Sequence, residues 1–209
     1  MKNQINSKII FTLLLFTAFL LMTGPVPAQN RTDGQEGAEY KGNSTRLSGG
    51  YGTEVGVDVG TVFLHAKNHE NFQTGIAFGA HMDYFIDDVF ALNFSFGYSN
   101  NGGKTGFGAM NNTFFDIGPR ARMVFDPIAP FISVSPGFVW DKFGTPFNKS
   151  AVSFAIDFGT GVDLIVSDHI TMGLTYKYHL VFDNNITSGG FSAGTADFQS
   201  LMMKINYVF

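Results

Sequence analysis

The sequence predicts an all-β fold, an eight-stranded antiparallel up-and-down transmembrane β-barrel. Three observations carry that expectation. From about residue 50 onward, apolar residues alternate with small or polar ones through eight successive segments, the period-2 signature of strands with two unlike faces. Only 14% of residues are charged although 44% are hydrophobic, against about 25% charged in an average soluble domain. The connections between segments alternate between short and long, as in barrels with tight turns at one end and loops at the other.

The chain opens on a segment for export. Lys2 and Lys8 precede the apolar run Ile9 to Met22, Gly24 and Pro25 break it, and Val26-Pro27-Ala28 places small residues at a cleavage position. This is the layout of a secretory signal peptide, residues 1–28. The run has 14 residues, too few for a spanning helix, which needs about 20. Residues 29–47 are polar and aperiodic, and read as a flexible periplasmic arm. The barrel domain is then 48–209.

Each barrel segment divides by parity. Val55, Val57, Val59 and Phe63 oppose Glu54, Gly56, Asp58 and Gly60. Ile76, Phe78, Met82 and Tyr84 oppose Gly75, Gly79, His81 and Asp83. Phe90, Leu92, Phe94, Phe96 and Tyr98 oppose Ala91, Asn93, Ser95 and Gly97. Phe115, Ile117, Pro119 and Met123 oppose Asp116, Gly118, Arg120 and Arg122. Ile132, Val134, Phe138 and Trp140 oppose Ser133, Ser135 and Gly137. Val152, Phe154, Ile156, Phe158 and Leu164 oppose Ser153, Asp157, Gly159 and Asp163. Ile170, Met172, Leu174, Tyr176 and Tyr178 oppose Thr171, Gly173, Lys177 and His179. Leu201, Met203, Ile205, Tyr207 and Phe209 oppose Ser200, Met202, Lys204 and Asn206.

No charge falls on the apolar parity of these segments. Hydrocarbon demands this, because Lys or Arg at mid-depth costs about 2–4 kcal/mol. A soluble β-sandwich would carry Lys, Glu and Thr on its polar faces. Here that parity is Gly, Ala and Ser with scattered charges, the composition of a cramped interior. An open sheet edge in lipid would leave backbone groups unpaired at several kcal/mol each, so the strands are expected to close on themselves.

The short turns fall near Asp87-Asp88, Asp126 to Ala129 and Ser167 to His169. The longer loops are 65–73, 99–112, 141–150 and 183–197. Short turns are periplasmic in bacterial barrels and long loops external. Tyr84, Phe90, Phe125, Phe131, Tyr207 and Phe209 are then expected at the inner girdle, and Tyr98, Phe115, Trp140, Tyr178 and Phe182 at the outer one.

The chain stops on Ile205-Asn206-Tyr207-Val208-Phe209. An alternating final strand with an aromatic two before the end and a terminal Phe resembles the assembly signal of outer-membrane barrels. With the export segment and strand count, the stretch 48–209 resembles the OmpA/OmpX/OmpW-like "porin family" of small barrels. The resemblance implies an outer-membrane location, recognition of Tyr207 and Phe209 by the barrel-assembly machinery, and contact with outer-membrane lipids and lipopolysaccharide. It is specific for architecture, since one fold hosts several functions. The chain is expected to lack the peptidoglycan-binding domain of full OmpA proteins, and with it a cell-wall tethering role.

The inward parity collects Glu54, Asp58, His81, Asp83, Asp116, Arg120, Arg122, Asp157, Asp163, Lys177, His179 and Lys204. Buried charges need partners, and an eight-stranded barrel is just wide enough for side chains to fill. The expectation is a lumen charge network that holds the barrel shut. A narrow polar channel is the alternative, given some room by the inward glycines. His81 and His179 lie on the lumen face with no Ser two residues on, and His169 lies in a periplasmic turn, so no lipid-facing triad and no catalytic site is expected. His65, His69 and Glu70 lie on a loop, where their spacing carries no metal geometry, and neither metal nor cofactor is expected. The net charge of −4 gives no support to a nucleic-acid partner. The protein is expected to act as a monomer, through envelope structure or through outer-loop contacts. The loops are rich in Gly and Asn and carry Phe107, Met110 and Phe191.

Overall fold

The computed structural model describes residues 52–65, 71–145, 148–182 and 197–209, with only the backbone of 186–188 and 191–193. The export segment, the N-terminal arm, His69, Glu70, the Gly189-Gly190 tip and the side chain of Phe191 lie outside the described residues.

The strands are β1 (Thr53–Leu64), β2 (Gly75–Phe85), β3 (Phe90–Asn101), β4 (Met110–Arg122), β5 (Ile128–Phe143), β6 (Lys149–Ser167), β7 (Ile170–Val181), β8 (Ile186–Ser188), β9 (Phe191–Ala193) and β10 (Phe198–Val208). Eight of them close a barrel in the order β1-β10-β7-β6-β5-β4-β3-β2. Each neighbour pair is antiparallel, and β10 returns to β1 to seal the ring. Among the described residues the short β8 and β9, between β7 and β10 in the chain, pair with each other alone.

Burial alternates along every barrel strand as the side-chain period requires. On β1 the outward Val55, Val57 and Val59 are exposed, while Glu54 and Val62 are fully enclosed. The outward set is the lipid-facing set: Ile76, Phe96, Phe138, Trp140, Val152 and Met203 are all exposed and apolar. Lys142 also points outward, at the rim two residues beyond Trp140.

Three expectations are corrected here. The ladder runs further into the long loops than composition suggested. β3 and β4 stay paired through Ser99↔Asn112, Asn100↔Asn111 and Asn101↔Met110, because backbone pairing does not depend on apolar side chains. The Asn side chains support it: Tyr98 Oη and Asn100 Nδ2 both donate to Asn111 Oδ1, at 2.7 and 2.5 Å. The β5–β6 hairpin likewise extends to Phe143↔Lys149. Strands of 16 and 19 residues exceed the roughly ten that cross the hydrocarbon, so this hairpin projects beyond it.

The second correction concerns Phe131. It is 4% exposed and turned inward, so it is not a girdle residue; it shares the parity of Ser133 and Ser135. The third concerns the inner face, which is not uniformly small and polar. At the loop end it carries a hydrophobic cluster built from Val62, Phe72, Met110, Phe114, Phe143 and Phe198, among others.

Candidate functional site

The lumen is the candidate site, and it is stratified along the barrel axis. At the turn end lie the charges. Glu54 Oε2 accepts from Arg122 at 2.9 Å. Its other oxygen accepts from Asn206 Nδ2 at 2.5 Å and from Thr171 Oγ1 at 3.4 Å. Arg120 bridges Asp83 and Asp163, Asn93 donates to Asp83 at 2.6 Å, and Lys204 reaches Asp163 at 2.9 Å. The guanidinium of Arg120 lies 3.8 Å from the centre of the Phe131 ring, and Lys204 Nζ lies 4.3 Å from it. Arg122 sits over Phe85 in the same way at 4.0 Å. Aromatic faces thus share the compensation of cations removed from water.

Mid-lumen carries two histidine–aspartate pairs and a lysine. His81 Nδ1 is 2.8 Å from Asp58. Lys177 Nζ donates to Ser95 at 2.8 Å and lies 3.2 Å from Asp116. His179 Nδ1 is 2.8 Å from Asp157, and its Nε2 is 3.1 Å from Ser200 Oγ. All twelve ionisable residues singled out in the sequence therefore face the lumen and have an oppositely charged or histidine partner there.

The Ser200–His179–Asp157 arrangement has the order of a serine hydrolase triad, and sequence reasoning missed it. The three residues come from β10, β7 and β6, so no linear spacing announces them; only the register does, through Phe198↔His179 and Asp157↔His179. Its surroundings are not those of an open site. Ser200 is 1% exposed, and His179 is stacked on Phe198 with centroids 4.0 Å apart.

Beyond this level an aromatic layer crosses the lumen, flanked on β3, β4 and β5 by the buried polar side chains of Ser99, Asn101, Asn112 and Asp141. Phe114 packs on His179 and Phe198 at centroid distances of 5.1 and 6.1 Å. Above it Phe72 meets both Phe107 and Phe143 at 6.1 Å. The inward glycines give their space to these rings. A Cβ on Gly97 would lie within the Phe114 ring, and one on Gly161 would collide with Phe131. Between the charged and apolar layers a cavity of about 40 Å³ remains, lined by Asp58, His81, Ser95, Lys177, Ser200 and Lys204 among others. That is room for about three waters at ~15 Å³ each.

The apolar layer was traceable in principle. Extending each strand's parity two to six residues toward the loops would have put Val62, Leu64, Val139, Phe143 and Val181 on the inner face.

The sequence matches the outer membrane protein beta-barrel domain over residues 16–209. The chain belongs to that family. This outer-membrane barrel resides in the bacterial outer membrane, in keeping with an outer face that is apolar between its rims. Its fold is similar to the N-terminal β-barrel domain of Pseudomonas aeruginosa OprF, with a TM-score of 0.53, 8% identity and coverage of 77% of this chain and 99% of that one. It is also similar to Ail, the attachment invasion locus protein of Yersinia pestis, at a TM-score of 0.52 and 13% identity over 78% of this chain and 99% of that one. OprG from Pseudomonas aeruginosa gives a TM-score of 0.54 at 9% identity, over 78% and 98% of the two chains. At these identities the likeness is one of fold. No curated protein matches the sequence.

Proposed function

We propose that this outer-membrane barrel is a closed, non-catalytic envelope protein that acts through its structure and its loop-end surface, as a monomer. The observation that carries this reading is the aromatic layer of Phe72, Phe114, Phe143 and Phe198 across the lumen. A solute path through an eight-stranded barrel needs a continuous polar lining. Here a polar solute would have to leave the mid-lumen cavity through packed rings. The charge network below them supports the same reading: its members pair with one another across the lumen and fill it.

The loop end is external in this reading, and Tyr207 and Phe209 form the signal for the assembly machinery. The geometry at the C-terminus suits a docked terminal strand. Phe209 N–H donates to Thr53 O at 2.9 Å, and Tyr207 packs between His169 and Phe209 at 5.6 and 4.9 Å. Outward Lys142 and the Asn100–Asn111 rim stand at headgroup level, suited to the phosphates and sugars of lipopolysaccharide.

Proteoliposome swelling tests the proposal. Vesicles containing the refolded barrel should not swell in isotonic arabinose, glycine or potassium chloride. Swelling that scales with protein content would replace this reading with the narrow-channel one.

A further inference from the structure

Gly56 on β1 stands opposite Asn206 of β10 and opposite His81 of β2, so the three residues share one rung across the barrel's closing seam. All three face the lumen. Because Gly56 has no side chain, a gap opens between its two neighbours. A Cβ there would lie against Asn206 Oδ1 and 2.7 Å from His81 Nε2. Both of those atoms are buried, and neither has a hydrogen-bond partner among the described residues. The side chain of His81 is 6% exposed.

One rung toward the turn end, Glu54 stands opposite Asp83. A ring nitrogen of His81 and one carboxylate oxygen from each acid lie within 4.8 Å of one another. Their electron pairs are not all spent. Glu54 Oε2 accepts one bond, from Arg122. Asp83 accepts one bond on each oxygen, from Asn93 and from Arg120. A carboxylate oxygen offers two acceptor sites, so free pairs remain on both acids. Asp58 at His81 Nδ1 sets the remaining feature. A carboxylate accepting Nδ1–H leaves the Nε2 pair free and raises its basicity, the outer-shell arrangement of metal-bound histidines.

We propose that His81 Nε2, Glu54, Asp83 and Asn206 Oδ1 form a binding site for one divalent first-row metal ion, with Asp58 orienting His81. One imidazole nitrogen with three hard oxygens and no sulfur fits Zn²⁺ or Mn²⁺ and does not fit Cu(I). Ligands on a tetrahedral Zn²⁺ lie roughly 3.3–3.5 Å apart, a spacing that atoms already within 4.8 Å of one another reach by small side-chain shifts. Charge favours a cation. Glu54, Asp58, Asp83 and Asp163 face three fixed cations, Arg120, Arg122 and Lys204, which leaves one negative charge in excess when His81 is neutral. The ligands come from β1, β2 and β10, so the ion would brace the strands that close the barrel.

The test uses the untagged full-length barrel, refolded in detergent micelles and stripped with EDTA, with Zn²⁺ and Co²⁺ as probes. One equivalent of Zn²⁺ should bind and raise the temperature at which the heat-modifiable band is lost. His81→Gln should bind at least tenfold more weakly, and His169→Ala should bind as wild type does. The Co²⁺ form of the wild type gives a readout that does not depend on a variant folding: paramagnetic shifts should fall on the His81 ring and spare His179. A folded wild type that takes up neither ion overturns the proposal, as does undiminished binding by folded His81→Gln, or Co²⁺ shifts centred on another histidine.

Discussion

The ring of Phe114 occupies the space that a side chain on Gly97 would need. The glycine and the aromatic are on neighbouring strands and form one device: bare backbone on β3 lets a large ring from β4 lie flat in a narrow lumen. Phe114 is 5% exposed. Phe114→Ala should therefore cost about 3–5 kcal/mol, as for a buried aromatic truncated in a packed core. Gly97→Ala should also destabilise, because its methyl group has no room. Urea unfolding midpoints of the refolded variants measure both.

Arg120 holds two acids that are each 0% exposed, Asp83 and Asp163. Arg120→Ala leaves both carboxylates buried beside too little positive charge and should cost roughly 3–5 kcal/mol. Removing one acid together with the base, as Arg120→Gln with Asp83→Asn, leaves Asp163 paired with Lys204 and should recover much of that loss. The same unfolding assay measures it. Failure of the double variant to recover would mean that Arg120 contributes mainly through its packing on Phe131 and its hold on Asp163.

Much of this was legible in the sequence, because a barrel wall obeys a strict period. Which face Asp116, Arg120 and Lys177 take follows from parity alone. Who pairs with whom did not. Arg120 and Asp163 are 43 residues apart and meet across the lumen, where closure sets the distance and local pattern has no say. Phe131 shows a different failure. An aromatic next to a turn reads as a girdle residue, yet its parity with Ser133 sends it under Arg120. The strand ends at Asn100 and Asn111 were obscured because a ladder of backbone bonds tolerates asparagines that a propensity reading assigns to loops.

The outer face carries its own prediction. Phe96 is 53% exposed and its neighbours across the sheet are Ala80 and Phe115. Phe96→Lys should cost about 2–4 kcal/mol in a bilayer, whereas a Lys introduced at Ser150, at the rim, should cost no more than about 1 kcal/mol. Reversible unfolding from lipid vesicles compares the two.

Orientation and assembly are tested in cells. An epitope inserted between Gly144 and Thr145 should be detected on intact cells, since the β5–β6 connection is external in the proposed topology. Labelling only after permeabilisation would invert it. Deleting Phe209 removes the bond to Thr53 and the contact with Tyr207, and should lower the amount of folded barrel in the outer-membrane fraction.

The enclosed Ser200–His179–Asp157 set predicts silence. A fluorophosphonate probe should not label the folded wild type, because Ser200 is 1% exposed. Labelling that Ser200→Ala abolishes would reveal a route to that serine and a hydrolytic function.

The closed lumen is the centre of this account, and single-channel recording in planar bilayers tests it most directly. The refolded wild type should insert without conducting, and the double variant Phe114→Ala/Phe143→Ala should show ion-conducting steps if it retains its barrel. Stable conductance from the wild type, altered by Arg120→Ala, would contradict the account and establish an open polar path through the barrel.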